Sequence, residues 1–89
     1  MVTMDYFTAK WCGSCKATTA ICRKLQTERT DVTVTIYDID TPDGRVAASK
    51  YNVMSLPSIF ISSPRGRKGF IGSHVSEADI NRAIVELTY

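Results

Sequence analysis

The sequence predicts an α/β fold in one domain, residues 1–89, with a four-stranded mixed sheet and helices on both faces. Residues 2–40 read as a β-rich segment, a segment of helical periodicity and a second β-rich segment. Such a β-α-β unit has parallel strands joined by a right-handed crossover. Residues 58–71 then read as a hairpin and residues 76–87 as a helix. The full order is β-α-β-α-β-β-α.

The first strand and helix lie on either side of a cysteine pair. Val2 to Thr8 is rich in β-branched and aromatic residues and runs into Lys10-Trp11-Cys12 without a turn cluster, which predicts a strand that ends at the first cysteine. From Ser14 to Glu28 the apolar residues recur at helical spacing, and we expect them to face the core: Ala17, Ile21, Cys22 and Leu25. Cys12 and Cys15 are therefore predicted at the end of a strand and the beginning of a helix.

The middle of the chain supplies the second strand and helix. Val32 to Asp40 is a β-rich run that closes on the turn sequence 41–44, and Gly44 to Tyr51 is a helix candidate. Residues 63–66, Ser-Pro-Arg-Gly, predict a tight turn between strands at Ser58–Ser62 and Lys68–Ile71.

The last helix has a recognisable beginning. Ser76 is the predicted N-cap, acidic residues follow it in the first turn, and the helix runs to about Leu87. Its predicted buried stripe is Ile80, Ile84 and Leu87.

Composition excludes several classes of function. The net charge is +2 with eleven basic and nine acidic residues interspersed, which argues against nucleic acid as a partner. No apolar run approaches the length of a membrane span, and the first residues do not resemble a secretory signal. Three cysteines, two of them three residues apart, are a poor framework for structural disulfides. We therefore expect a reducing compartment, the cytoplasm.

Residues 11–16, Trp-Cys-Gly-Ser-Cys-Lys, carry the chemistry. One helical turn separates the two cysteines, so they can close a small ring or remain as a dithiol. A helix N-terminus stabilises a thiolate, so Cys12 is the predicted nucleophile and Cys15, deeper in the helix, the resolving thiol. Gly13 leaves the approach to Cys12 open, the Ser14 hydroxyl can donate to the Cys12 thiolate, and Trp11 offers a flat apolar surface for docking.

A zinc site is the alternative interpretation of this cysteine pair. Structural zinc needs four converging ligands, and only Cys22 and His74 remain as soft ligands outside the pair. We expect no metal and no organic cofactor. Cys22 is expected to be a buried, inert thiol and His74 a solvated loop residue, with a regulatory thiol and a position at the active-site rim as their alternatives.

The run at residues 11–16, followed by Ser55-Leu56-Pro57-Ser58 and then Gly72, resembles the thioredoxin family over nearly the whole chain. The resemblance implies a minimal thioredoxin fold of glutaredoxin-like size and a cis peptide bond before Pro57. It also implies substrate contacts at Trp11, Leu56, Pro57 and the loop at Gly72.

Some positions depart from the thioredoxin pattern. Tyr6 stands where thioredoxins usually carry a buried acid, Asp5 is expected on the opposite face of the strand, and Ile36 is near the place of the usual lysine partner. Ser14 replaces the thioredoxin proline. Glutaredoxins favour Thr-Val-Pro and a Gly-Gly pair, where this chain has Ser-Leu-Pro and Gly72-Ser73.

The resemblance implies a monomeric thiol–disulfide oxidoreductase that reduces disulfide-containing proteins and is recharged by a thioredoxin-reductase-like flavoenzyme or by glutathione. One alternative is a glutaredoxin-like, glutathione-dependent reductant that donates electrons to ribonucleotide reductase. Another is a non-catalytic docking module on the same fold.

Overall fold

The helices and strands follow one another in the predicted order. A computed structural model describes residues 1–88. Within that range the elements are β1 Val2–Thr8, α1 Lys16–Glu28, β2 Val32–Asp38, α2 Pro42–Tyr51, β3 Ser58–Ser63, β4 Gly66–Ile71 and α3 Glu77–Thr88.

The four strands form one mixed sheet in the order β2-β1-β3-β4. β1 and β2 are parallel and in register from Val2 opposite Val32 to Thr8 opposite Asp38. β3 is antiparallel to both β1 and β4. The predicted β-α-β unit and the predicted hairpin are therefore both confirmed.

Side chains of β1 alternate between two faces of the sheet, and both faces are covered by helices. On one face Met4 and Tyr6 are buried in the main core with residues of α1 and α3. On the other face Phe7 stacks on Tyr37 and meets the ring of Tyr51 from α2 edge-on. The predicted arrangement of helices on both faces is confirmed.

The first helix begins later than predicted. Gly13–Cys15 form a turn of 3-10 helix, and α1 begins at Lys16. The tighter 3-10 turn makes Cys15 the first inward residue, so the buried positions recur at spacings of three and four: Cys15, Thr18, Cys22 and Leu25. The prediction that Ala17 faces the core is wrong, because Ala17 is exposed and Thr18 is buried in its place.

The boundary between β2 and α2 also differs from the prediction. β2 ends at Asp38, two residues early, because the Asp38 carbonyl oxygen accepts hydrogen bonds from the Thr41 amide at 3.0 Å and the Thr41 hydroxyl at 2.7 Å. Thr41 then caps α2 by accepting from the Gly44 amide at 3.0 Å, and the helix begins at Pro42. Pro42 suits the first helical position because its missing N–H is not needed there.

The predicted tight turn at residues 63–66 is confirmed, but the second strand of the hairpin begins earlier than predicted. β4 begins at Gly66 and not at Lys68, because Ser63 pairs directly with Gly66 and leaves only Pro64 and Arg65 in the turn. Gly66 has a φ of 146°, a conformation that favours glycine.

The predicted beginning of α3 is confirmed. The Ser76 hydroxyl accepts from the Asp79 amide and the Asp79 carboxylate accepts from the Ser76 amide, each at 3.1 Å, which is a capping box. The predicted buried stripe is confirmed at Ile80, Ile84 and Leu87. None of the helices within residues 1–88 combines the length and the apolar character needed to cross a membrane.

Candidate active site

Cys12 directly precedes the 3-10 turn and Cys15 is its last residue, and their sulfurs form a disulfide. Residues 9–11 separate the pair from the end of β1 at Thr8, so the prediction that this strand ends at the first cysteine is wrong. The Cys12 amide donates to the Ala9 carbonyl at 3.1 Å and the Cys15 amide donates to the Cys12 carbonyl at 3.2 Å, which fixes the backbone on both sides of the pair. Cys12 is partly exposed, whereas Cys15 retains 2% of its accessible surface. An incoming thiol can therefore reach Cys12 more readily than Cys15.

The two residues between the cysteines leave Cys12 open and supply a polar neighbour. Gly13 is exposed, and no atom lies within 4 Å of the position that a Cβ would take there. The hydroxyl oxygen of Ser14 lies 3.5 Å from Cys12 Sγ. After reduction this hydroxyl can donate a hydrogen bond to the Cys12 thiolate.

Trp11 is a large exposed apolar side chain next to Cys12, with 68% of its surface accessible. Its indole Nε1 donates a hydrogen bond of 2.9 Å to Asp40 Oδ2, which holds the ring beside the disulfide. Sequence reasoning did not assign Asp40 a role. A signal was present, because the carboxyl ends of the parallel strands β1 and β2 meet at one edge of the sheet.

The Leu56–Pro57 peptide bond is cis, as the family resemblance implied. Pro57 is buried and Leu56 is partly exposed. The Gly72 amide donates to the Pro57 carbonyl at 2.9 Å, so the loop after β4 lies against the loop before β3. Gly72 has a φ of 100°, which favours glycine at this position.

A groove of about 850 Å³ runs beside Cys12, and we call it the apolar groove. Five of the predicted site residues line it: Trp11, Cys12, Gly13, Ser14 and Leu56. Pro57 and Gly72 are not among its lining residues. Sequence reasoning missed Met54, a groove residue that is 91% exposed and stands three residues before Pro57.

Tyr6 occupies the space beneath Cys15 where thioredoxins usually carry a buried acid. Its side chain is fully buried, and its hydroxyl donates to the Cys15 carbonyl at 3.2 Å and shares a hydrogen bond of 2.7 Å with the Thr19 hydroxyl. Its neighbour on β2 is Ile36. On the opposite face, as predicted, the carboxylate of Asp5 accepts from the Tyr51 hydroxyl at 2.5 Å.

The third cysteine is inaccessible to a substrate disulfide. Cys22 is fully buried, and burial raises the pKa of its thiol from 9.0 to about 12. Because the thiolate is the reactive form, Cys22 is unreactive at neutral pH while the fold is intact. His74 is exposed in the loop after β4, near Gly72. No cluster of three or more metal-ligating side chains occurs within residues 1–88.

Comparison with known proteins decides the family. The family model described as Thioredoxin matches residues 2–86. The chain belongs to the thioredoxin family. This family member is 32% identical over 75 residues to thioredoxin O1, mitochondrial, of Arabidopsis thaliana, and 35% identical over 60 residues to a thioredoxin of Bacillus subtilis. Those alignments cover 81% and 67% of the present chain.

Solved structures give the same fold for this thioredoxin-family chain. A mutant thioredoxin of Halobacterium salinarum superposes with a TM-score of 0.81 at 26% identity, over 99% of this chain and 75% of that one. The chain spans 38% of the length of thioredoxin O1 and 57% of the Bacillus subtilis thioredoxin.

Proposed function

We propose that this thioredoxin-family protein is a thiol–disulfide oxidoreductase that reduces disulfides in other proteins. The observation that supports this most strongly is the Cys12–Cys15 disulfide, with one partly exposed and one buried sulfur at the beginning of a helix. The helix N-terminus stabilises negative charge, and the burial of Cys15 keeps it from external disulfides. The pair therefore has distinct roles.

The proposed reaction has two exchange steps. In the reduced protein the Cys12 thiolate attacks one sulfur of a substrate disulfide, forms a mixed disulfide and releases the other substrate sulfur as a thiolate. The Cys15 thiolate then attacks Cys12 Sγ, which re-forms the Cys12–Cys15 disulfide and releases the second substrate thiol. Two electrons pass to the substrate, and the protons lost by the two cysteines balance those that its two sulfurs take up.

Trp11, Leu56, Pro57 and Gly72 are the proposed substrate contacts. Trp11 and Leu56 line the apolar groove, and the main-chain hydrogen bond between Gly72 and Pro57 holds the adjoining loops together. Gly13 and Ser14 complete the proposed contact surface around Cys12. Apolar side chains flanking a substrate cysteine would bury surface against this groove.

Members of the family act on disulfide substrates with a reductase as partner. We propose that a flavoenzyme resembling thioredoxin reductase recharges this protein, and that glutathione is the alternative electron source.

We also propose that the protein works as a monomer, in electron transport and redox homeostasis of a reducing compartment such as the cytoplasm. Light scattering tests whether it is a monomer, and alkylation of Cys12 in intact cells tests whether it is kept reduced there.

Reduction of insulin tests the proposed function. With dithiothreitol as electron source, the wild-type chain should accelerate insulin precipitation, and Cys12→Ser should abolish the acceleration. Cys22→Ala is the matched control because it removes a thiol outside the pair, and it should retain the rate. If the wild-type chain failed to accelerate insulin precipitation and Cys12→Ser left its biological activity intact, the docking-module interpretation would replace this one. Recharging assays with thioredoxin reductase and with glutathione then distinguish the electron sources.

A further inference from the structure

A second groove reaches the disulfide from the side of α1 and β2, and we call it the basic groove. It encloses about 750 Å³ and is lined by both Cys12 and Cys15. Among the described residues, Cys12 is the only one that lines both this groove and the apolar groove. The two grooves therefore meet at the nucleophilic sulfur and are otherwise built from different residues.

The charge in the basic groove is predominantly positive. Of the residues that the structure describes, Lys10, Lys16 and Arg23 line it, and Asp38 is its one acidic side chain. The carboxylate of Asp38 already accepts from the Asp40 amide at 2.9 Å. Within residues 1–88 none of the three cations has a carboxylate within 4 Å, whereas Lys24 of α1 pairs with Glu77. The cations are thus available to an external anion.

The cations are spaced for an extended peptide. Lys16 directly follows Cys15, and Arg23 lies two helical turns further along α1, about 10.5 Å along the helix axis. An extended chain advances about 3.3 Å per residue, so three residues cover that distance. An acidic side chain two to four residues from a substrate cysteine held at Cys12 would reach these cations.

We propose that the basic groove binds acidic side chains that flank the reactive cysteine of a protein substrate. This inference rests on the proposed disulfide reductase function and names its substrate class. A substrate chain that crosses Cys12 would place apolar residues against Trp11 and Leu56 on one side and acidic residues against Lys16 and Arg23 on the other. The two grooves together then select the disulfide that is reduced.

The test compares three symmetric disulfide peptides that are identical except at the second to fourth residues from the cysteine, which are Asp, Asn or Lys. Each rate constant is divided by the rate constant for reduction of the same peptide by dithiothreitol, which removes the peptide's own effect on exchange. At low salt we expect kcat/KM for the Asp peptide to exceed that for the Asn peptide about tenfold, with the Lys peptide slowest. The preference should shrink in about 0.5 M NaCl because salt screens the exposed charges.

Arg23→Glu is the decisive variant because Arg23 lies two turns from the sulfurs and is exposed. It should lower the ratio of the Asp to the Asn rate about tenfold. Arg65→Glu at the tip of the hairpin makes the same charge change outside the groove, and it should leave the ratio within about twofold.

Three results would overturn the assignment: no preference in the wild type, an unchanged ratio in Arg23→Glu, or equal loss in both variants. Oxidised glutathione is the probe for a small-anion site. If Arg23→Glu slowed its reduction but left the Asp peptide preference intact, the groove would bind a small anion and not a protein segment. Failure of the wild type to reduce even the Asn peptide would instead contradict the proposed function itself.

Discussion

The Ser14 hydroxyl lies 3.5 Å from Cys12 Sγ and can donate to the thiolate that forms on reduction. Such a hydrogen bond would stabilise the dithiol form, and we therefore expect it to make the cysteine pair less reducing. Ser14→Ala should therefore be more reducing, with its equilibrium in a glutathione redox buffer shifted about three- to tenfold toward the disulfide. Ser14→Thr keeps the hydroxyl and serves as control. A Ser14→Ala protein that is equally or more oxidising would contradict this role.

Tyr6 anchors the beginning of the helix through its hydroxyl, which donates to the Cys15 carbonyl at 3.2 Å. Tyr6→Phe leaves that buried carbonyl without this donor, and we expect a loss of about 1–3 kcal/mol in the free energy of unfolding. Tyr37→Phe is the matched control, because Tyr37 contributes ring stacking on Phe7. Urea denaturation measures both variants, and equal effects would show that the Tyr6 hydroxyl has no special role.

Burial of the Cys22 thiol makes the free energy of unfolding depend on pH, and it also fixes the sign of that dependence. Its pKa is about 12 in the folded protein and about 9 once unfolded, so the unfolded chain binds fewer protons between those values. The stabilising contribution is complete below about pH 9 and is lost as the pH rises toward 12. With the Cys12–Cys15 disulfide intact, wild type should lose about 2 kcal/mol more stability than Cys22→Ala between about pH 8 and 10.5. Parallel curves for the two proteins would contradict the burial argument.

At the scale of elements, the connection from β2 to α2 depends on one glycine. A Cβ at Gly44 would collide with the carbonyl oxygen of Asp38, and backbone cannot move aside as a flexible side chain can. Gly44→Ala should therefore lower the free energy of unfolding by at least about 2 kcal/mol. Gly13→Ala, in open space, should change it by less than about 0.5 kcal/mol. Similar thermal denaturation curves for both variants would refute this explanation.

Element type could be predicted from the sequence because periodicity is local, and β1 begins at Val2 as predicted but ends at Thr8 and not at the first cysteine. The predicted bounds of an element are wrong where a hydrogen bond sets the residue at which that element begins or ends. The capping interaction at Thr41 sets the beginning of α2 at Pro42. The 3-10 turn ahead of Lys16 places Thr18, and not Ala17, in the core. Both effects depend on backbone geometry, which residue type alone does not specify.

At the scale of the whole molecule, the reactive pair could be predicted but its surroundings could not. Cys12 and Cys15 are neighbours in the sequence, whereas Trp11 donates to Asp40 and lines the same groove as Met54 only after the sheet and α2 have packed. The sequence shows that Tyr6 stands where thioredoxins usually carry a buried acid. Only the structure shows that its hydroxyl donates a hydrogen bond to the Cys15 carbonyl. The two grooves are likewise products of packing between distant segments.

Trapping of the mixed disulfide tests the roles of the two cysteines most directly. Reduced Cys15→Ser and Cys12→Ser proteins are incubated with a disulfide-containing protein, and covalent adducts are located by mass spectrometry. Cys15→Ser should accumulate a stable adduct through Cys12, because the resolving thiol is gone. Cys12→Ser should form almost none, since Cys15 is 2% exposed. Stable adducts through Cys15 in the Cys12→Ser protein would contradict the assignment of Cys12 as the nucleophile.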